Sequence, residues 1–245
     1  MQIKEYNEIS KLSESAACHI HELIKTTLER QGFFAMALSG GASPLDIYTR
    51  LAEKKFSADI PWEKVFFFWG DERYIPFIHR DSNYGMAYKA LLSKIPVPAE
   101  NVFRVPVEVT PIDEAAELYE RIMRKFFTSM HSINMETMLP EFDLVLLGVG
   151  TDGHTASLFP GHRAVNEDEK WVTSLKAHAR VTIRERITIT LPVINSAKNI
   201  MFLISGQGKG PVIRSIFENK DSTQYPASMV QSKGQSIWYI DKNIY

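Results

Sequence analysis

Two alternating patterns of apolar and polar positions divide the chain into predicted strands and helices. Short apolar runs predict strands that are buried on both faces, and apolar residues at three- and four-residue spacing predict amphipathic helices. The predicted strands cover residues 33–38, 64–69, 142–147, 171–175, 187–191, 200–205 and 236–240, with a weaker candidate at 101–105. The predicted helices cover residues 10–30, 43–55, 82–94, a long stretch after Pro111, and 208–218.

This alternation predicts a mostly parallel sheet with helices on each side, which is an α/β fold. Ser43 and Pro44 are expected to start a helix, because a serine side chain can cap free amides and proline fits the first helical position. No repeat, low-complexity tract or long Pro/Gly/Ser-rich linker divides the sequence. We therefore expect one domain over residues 1–245.

The composition is that of an ordinary globular protein, with 44% apolar residues and a net charge of -1. No long basic block is present, so nothing suggests a nucleic-acid partner or an anionic membrane surface. A single cysteine, Cys18, excludes an intrachain disulfide and a cysteine-cluster metal site, and its helical surroundings predict a thiol packed in the core. The sequence lacks a secretory signal and any apolar run long enough to cross a bilayer, which predicts a cytoplasmic protein.

Four polar loops are expected at the carboxyl ends of predicted strands, where α/β sheets bind ligands. They cover residues 39–43, 70–73, 148–157 and 205–210. In the first, Gly40 and Gly41 would let an anion approach backbone amides at a helix start, although a tight turn would equally need glycine. In the second, Asp71 and Arg73 follow an aromatic strand, a pattern that is also typical of surface turns. In the fourth, Lys209 lies near a helix start, where its ammonium and the nearby backbone amides could bind one phosphate together.

The third loop, GVGTDGHTASLFP, has glycines at the spacing of a dinucleotide-binding motif. We reject that cofactor, because Pro160 limits any helix here to a short piece and the acids at 167–169 do not end an apolar strand. Asp152 and His154 instead lie at alternate positions of the loop. Histidine transfers protons near neutral pH, and a nearby carboxylate can fix its tautomer. The sequence contains neither a G-x-S-x-G elbow nor an H-E-x-x-H helix, so attack by an activated water is the remaining simple hydrolytic chemistry.

Taken together, these segments resemble the 6-phosphogluconolactonase family. The matching segments, in the same order as in that family, are LSGGASP at 38–44, GDERYIP at 70–76, DSNYG at 81–85, FDLVLLGVGTDGHTASLFPGH at 142–162, RITITLPVINSAKNIMFLISGQGK at 186–209 and WYID at 238–241. The resemblance implies a Rossmann-like three-layer α/β/α sandwich. It also implies hydrolysis of 6-phospho-D-glucono-1,5-lactone to 6-phosphogluconate, the second step of the oxidative pentose phosphate pathway, without a metal or organic cofactor. The partner would be a small sugar phosphate.

The resemblance also assigns roles to individual residues. His154 matches the general base that activates water, with Asp152 orienting it, and Arg73 and Asp71 are expected to face the lactone. The residues expected to hold the substrate phosphate are Gly40, Gly41, Ala42, Ser43, Arg186 and Lys209. By itself Arg186 is typical of a solvated strand end. Because residues 176–185 do not match the family well, Arg180 and Arg184 remain alternatives to it.

Two other functions are weighed against the lactonase. A glucosamine-6-phosphate deaminase or isomerase resembles it in fold and shares the DGH loop, but typically has another residue after the DE pair and a glutamate soon after DGH. Here Arg73 follows Asp71 and Glu72, and residues 155–160 contain no acid. A non-catalytic sugar-phosphate sensor would usually carry a DNA-binding module, yet helix-turn-helix candidates and a basic surplus are both absent from the sequence. The sequence therefore favours the lactonase.

Overall fold

The structure is a computed structural model that describes residues 1–134, 137–179, 181–218 and 223–245. Its strands are β1 (Gln2–Tyr6), β2 (Phe34–Leu38), β3 (Val65–Trp69), β4 (Asp71–Arg73), β5 (Ile133–Asn134), β6 (Leu139–Pro140), β7 (Leu144–Leu147), β8 (Val172–Lys176), β9 (Glu185–Ile189), β10 (Asn199–Ile204) and β11 (Gln235–Asp241). Its α-helices are α1 (Ile9–Gln31), α2 (Ala42–Leu51), α3 (Lys54–Ser57), α4 (Asn83–Ala90), α5 (Ile112–Ser129), α6 (Leu191–Asn195) and α7 (Gly210–Glu218). Within the described ranges, no helix has both the length and the apolar character that a membrane span requires.

Six strands form one parallel sheet in the order β1-β11-β10-β7-β2-β3. At its centre β2 pairs with both β3 and β7, so that Met36 lies opposite Phe67 on one side and Leu144 on the other. Parallel neighbours need crossover connections, and the helices between the strands lie on both sides of the sheet. This arrangement confirms the predicted Rossmann-like three-layer α/β/α sandwich with a mostly parallel sheet.

The centre of the sheet is apolar because both of its faces are covered. Every residue of the sequence FAMAL in β2 is buried, as is every residue of LVLL in β7. Near β3, the Phe68 ring packs against those of Phe103, Phe126 and Phe127 at centroid distances of 4.7, 5.1 and 5.6 Å. This packed core fixes the carboxyl ends of the strands, from which the four polar loops leave.

A second, antiparallel sheet of β4, β9 and β8 adjoins the carboxyl end of β3. Gly70 joins the two sheets: its N–H donates to Leu38 O at 2.9 Å, and its carbonyl accepts the Ile189 N–H at 2.8 Å. The prediction of a loop at 70–73 is therefore wrong for its last three residues, which pair with β9 as strand β4. So short a polar strand has no apolar run or alternation that would reveal it.

Other local predictions are also corrected. The helix predicted at 43–55 is two helices, because the backbone at Glu53 is extended and ends the first. The weak strand predicted at 101–105 amounts to one bridge between Val102 and Phe67. Cys18 is exposed on the outer face of α1 and is not packed in the core. The edge strand β1 was not predicted because most of its residues are polar and exposed.

Candidate active site

A cavity of about 310 Å³ opens at the carboxyl edge of the parallel sheet. Strands β2, β3, β7 and β10 all end there, so their following segments meet around it. The predicted site residues that line it are Gly40, Gly41, Ala42, Ser43, Asp71, Arg73, His154, Arg186 and Lys209. The remaining predicted residue, Asp152, contacts the cavity through His154. The fold thus brings together residues that are more than 160 positions apart in the sequence, such as Gly40 and Lys209.

The Asp152 and His154 side chains form a hydrogen-bonded pair. His154 Nδ1 lies 2.5 Å from Asp152 Oδ1, which also accepts the His154 backbone N–H at 3.1 Å. Burial alone would raise the pKa of Asp152, but the hydrogen bonds and the charge of His154 outweigh it and hold that pKa below its usual value. An ionised Asp152 favours the tautomer with its proton on Nδ1, which leaves the lone pair on Nε2. This is the arrangement of a general base with its orienting acid.

The glycines of this loop have steric explanations. A Cβ atom at Gly150 would overlap the His154 ring and lie 2.7 Å from Asp152 Oδ1. Gly153 has a φ of 83°, and a Cβ atom there would overlap the side chain of Tyr225. The short helix that Pro160 would still permit does not form. The chain instead continues in turns up to the 3-10 helix Arg163–Asn166. The loop therefore does not open the crossover helix that a dinucleotide site needs.

Two arginines meet on neighbouring strands. Arg73 of β4 and Arg186 of β9 are directly opposed, so both side chains leave the same face of the sheet and reach the cavity. Arg73 Nη1 donates to Asp81 O at 2.5 Å, and Arg186 Nε donates to Ile183 O at 2.8 Å. Burial lowers the pKa of Arg186, although an arginine stays charged in proteins. Opposed like charges repel each other, so an anionic ligand between them would be bound favourably.

Of the two alternatives to Arg186, the structure describes Arg184 alone. Arg184 does not line the cavity, and its Nε donates to Ala177 O at 2.9 Å. Arg180 lies outside the described residues. Among the arginines that the structure describes, Arg73 and Arg186 are therefore the ones at the cavity.

The first and fourth loops are joined by Ser43 and Ser205, whose hydroxyl oxygens are 2.5 Å apart. The N-cap residue of α2 is Gly41, with a φ of 102°, so Ser43 lies inside the helix and the prediction that it caps the helix is wrong. The first turn of α2 borders the cavity, where its free backbone N–H groups suit an anion. Lys209 lies there too, and no described residue forms a hydrogen bond or ion pair with its ammonium. Burial lowers the pKa of Lys209.

The two acids of the DER sequence have different roles, because alternate residues of a strand point to opposite faces. Asp71 and Arg73 line the cavity, whereas Glu72 does not. The Glu72 carboxylate accepts the backbone N–H groups of Asn83 and Tyr84 at 2.7 Å each and thereby caps α4. Burial has the larger influence on the Glu72 carboxyl and raises its pKa despite these hydrogen bonds.

Asp71 is held by two residues that sequence reasoning did not select. Ser157 Oγ donates to Asp71 Oδ2 at 2.6 Å, and Asn83 Nδ2 donates to Asp71 Oδ1 at 3.2 Å. Asn83 itself lines the cavity. Both residues fall inside segments that resemble the family, DSNYG and GTDGHTASLFP, and this was the available signal.

Buried polar atoms without a hydrogen-bond partner cluster at this cavity. Such atoms are rare, since each one costs about 1 to 3 kcal/mol. Of the four among the described residues, Ser39 Oγ, Arg73 Nε and Asn83 Oδ1 belong to residues that line the cavity. The cavity also receives the side chains of three cationic residues but of only one acid, Asp71. It is therefore suited to a polar, negatively charged ligand.

Comparisons with known proteins agree with this geometry. A family model described as glucosamine-6-phosphate isomerases/6-phosphogluconolactonase matches residues 7–238. A probable 6-phosphogluconolactonase 3, chloroplastic, from Oryza sativa subsp. indica is 38% identical over 94% of this chain and 71% of its own length. A 6-phosphogluconolactonase from Nostoc sp. is 37% identical over 89% of this chain and 86% of its own. The solved structure of 6-phosphogluconolactonase from Trypanosoma brucei has a TM-score of 0.85 and 30% identity, covering 99% of this chain and 97% of that chain.

The family match extends over nearly the whole chain and includes all four polar loops. The two sequence relatives exceed 30% identity over most of this chain, and both bear the 6-phosphogluconolactonase name. The chain therefore belongs to the family of glucosamine-6-phosphate isomerases and 6-phosphogluconolactonases.

Proposed function

We propose that His154 activates the water with which this chain, a 6-phosphogluconolactonase by its relatives, hydrolyses 6-phospho-D-glucono-1,5-lactone. The observation that carries this mechanism is the meeting, in one cavity, of the Asp152–His154 pair with three cationic side chains. A base and an anion site in one small cavity match a substrate whose reacting carbonyl and phosphate belong to one sugar. This combination supports the lactonase and gives each end of the substrate a counterpart.

The phosphate end binds at the first and fourth loops. Gly40 and Gly41 line the cavity beside the first turn of α2, where Ala42 and Ser43 offer backbone N–H groups to the phosphate; the space beside Gly41 is open, whereas that beside Gly40 is taken by the Asn83 side chain. Lys209 and Arg186 supply positive charge, and Lys209 has no competing partner among the described residues. Binding energy gained at this distal end orients the lactone carbonyl for attack.

Chemistry takes place at the His154 end of the cavity. His154 Nε2 takes a proton from water as the oxygen of that water forms a bond to the lactone carbonyl carbon. Arg73 stabilises the oxyanion that develops, a contribution often of about 3 to 4 kcal/mol when a donor is well placed. The bond between the carbonyl carbon and the ring oxygen then breaks, and the ring oxygen takes the proton back from the imidazolium. Asp152 stabilises the charged imidazolium between the two transfers.

The test is an assay with fresh lactone, produced in the cuvette by glucose-6-phosphate dehydrogenase. Disappearance of the lactone is expected to exceed spontaneous hydrolysis in proportion to the concentration of the purified protein. A folded protein that leaves the spontaneous rate unchanged would refute the proposal. Release of ammonia from glucosamine 6-phosphate under the same conditions would instead indicate the isomerase branch of the family.

We also propose that residues 1–245 form one domain in the cytoplasm. One sheet takes strands from both ends of the chain, β1 and β11, which supports a single domain. Limited proteolysis that releases two separately stable fragments would contradict this. The rice relative is named chloroplastic, so fractionation of the source cells must separate plastids from cytoplasm.

A further inference from the structure

Ser157 connects the catalytic loop to both strands that carry the arginines. It follows His154 by three residues on the third loop and is fully buried. Its hydroxyl donates to Asp71 Oδ2 on β4 at 2.6 Å, and its backbone N–H donates to Thr188 Oγ1 on β9 at 3.3 Å. Asp71 and Thr188 are themselves opposed in the pairing of β4 with β9. One small residue of the third loop thus contacts two strands of the site, β4 and β9.

Asp71 is the one carboxylate that lines the cavity among the residues the structure describes, and its charge partly offsets the repulsion between Arg73 and Arg186. This influence depends on the direction in which the carboxylate points. The Ser157 hydroxyl helps to fix that direction, because it donates a short hydrogen bond to Asp71 Oδ2. The other charged or titratable groups around Asp71 are Glu72 on its own strand, Tyr48 on α2, and His154 and Lys209 across the cavity.

We propose that Ser157 is a positioning residue, which acts through Asp71 to hold the His154 loop in a fixed relation to the two arginines. This inference rests on the proposed lactonase function. A merely structural alternative is that Ser157 satisfies buried polar groups and affects folding alone. The two differ in kinetics: the first lowers the kcat of the folded enzyme in a way that depends on the Asp71 carboxylate, whereas the second lowers the free energy of unfolding alone.

The test compares the wild type with Ser157→Ala. The variant is expected to lose about tenfold in kcat, as small misplacements of catalytic groups do. The loss is expected at a temperature where the circular dichroism of the variant matches that of the wild type, because the Asp71 carboxylate has lost the donor that fixes its direction. A kcat of the folded variant that coincides with that of the wild type would overturn the inference. A wild type without lactonase activity would instead refute the proposed function.

Ser196→Ala is the matched control, since Ser196 is also buried and donates to Pro140 O at 2.6 Å, but does not line the cavity. It is expected to lower the free energy of unfolding and to leave kcat unchanged at a temperature where the variant is folded. An equal loss of kcat in both folded variants would show a structural role and overturn the inference.

A double-mutant cycle with Asp71→Ala, which removes the acceptor, gives an independent measure. If Ser157 acts through Asp71, adding Ser157→Ala to Asp71→Ala lowers kcat little further; multiplicative losses would overturn the inference. If Ser157→Ala does not fold, Ser157→Cys provides a side chain of similar shape with a weaker donor and is expected to show the same loss of kcat at smaller size. Wild-type behaviour of that variant would also overturn the inference.

Discussion

The two ends of the parallel sheet both hold a buried carboxylate, yet their surroundings differ. At the amino end, Asp143 accepts hydrogen bonds from Ala35 N, Gln31 Nε2 and Lys198 Nζ, each at 2.9 Å. At the carboxyl end, the cavity is surrounded by opposed arginines, by Lys209, whose ammonium has no partner among the described residues, and by polar atoms without a hydrogen-bond partner. The carboxylate at the amino end is thus hydrogen-bonded within the protein, although burial raises its pKa, whereas the carboxyl end offers charges and polar atoms to a ligand. The amino ends of these strands thus contribute to folding stability, and their carboxyl ends to ligand binding.

The largest effect is expected from His154→Asn at the carboxyl end. Loss of the general base should lower kcat by about 10² to 10⁴-fold, because that is the usual contribution of a positioned base. The KM should change little, since the phosphate end of the substrate is bound elsewhere. Steady-state kinetics on fresh lactone would measure both values, with circular dichroism as the check on folding. Near-normal turnover in a folded variant would remove His154 as the base.

A smaller effect is expected from replacing one lysine at each end of the sheet by methionine. Lys209→Met should raise KM by about 10 to 100-fold, because it removes a charge-assisted contact worth about 1.5 to 3 kcal/mol. Lys198→Met, the control at the amino end, should leave KM unchanged and lower stability. Hydrolysis of glucono-1,5-lactone, which has no phosphate, should not distinguish Lys209→Met from the wild type. Equal KM values for the phosphorylated substrate in the wild type and Lys209→Met would contradict the phosphate role.

Asp143→Ala tests the amino end by itself. Loss of its carboxylate leaves the Ala35 N–H without its side-chain acceptor, which should lower the free energy of unfolding by about 1 to 3 kcal/mol. The kcat and KM should stay at wild-type values at a temperature where the variant is folded. Urea unfolding and steady-state kinetics would measure the two properties separately. A large loss of kcat in the folded variant would contradict the proposal that the amino end affects stability and not catalysis.

The smallest effect is a pH dependence of product binding. Because burial lowers the pKa of Lys209, its ammonium loses a proton at lower pH than an exposed lysine would. Affinity for 6-phosphogluconate should therefore fall several-fold between about pH 7 and about pH 10 as the charge is lost. Titration calorimetry would show this fall in the wild type and a flatter curve for Lys209→Arg, which stays charged. Curves of equal slope would argue against titration of Lys209.

The sequence predicted five of the six strands of the parallel sheet, all except β1, and the polar loops that follow them, because short apolar runs mark buried strands. It did not predict β4, whose three polar residues become a strand only through pairing with β9. It predicted the Asp152–His154 pair, since both residues lie on one short loop. Ser157 and Asn83 were missed because their contacts with Asp71 depend on how distant segments pack, which no local pattern records. Ser43 was misassigned as a cap because α2 begins at Ala42, with Gly41 as its N-cap residue.

The direct opposition of Arg73 and Arg186 makes segment length a determinant of the site. A strand that slips by one residue turns each of its side chains to the other face. One residue inserted between Gly70 and Asp71 would therefore direct Glu72 toward the cavity and Arg73 away from it, without altering any residue's identity. The number of residues between Gly70 and Arg73 therefore matters as much for an anion site here as the presence of the two arginines.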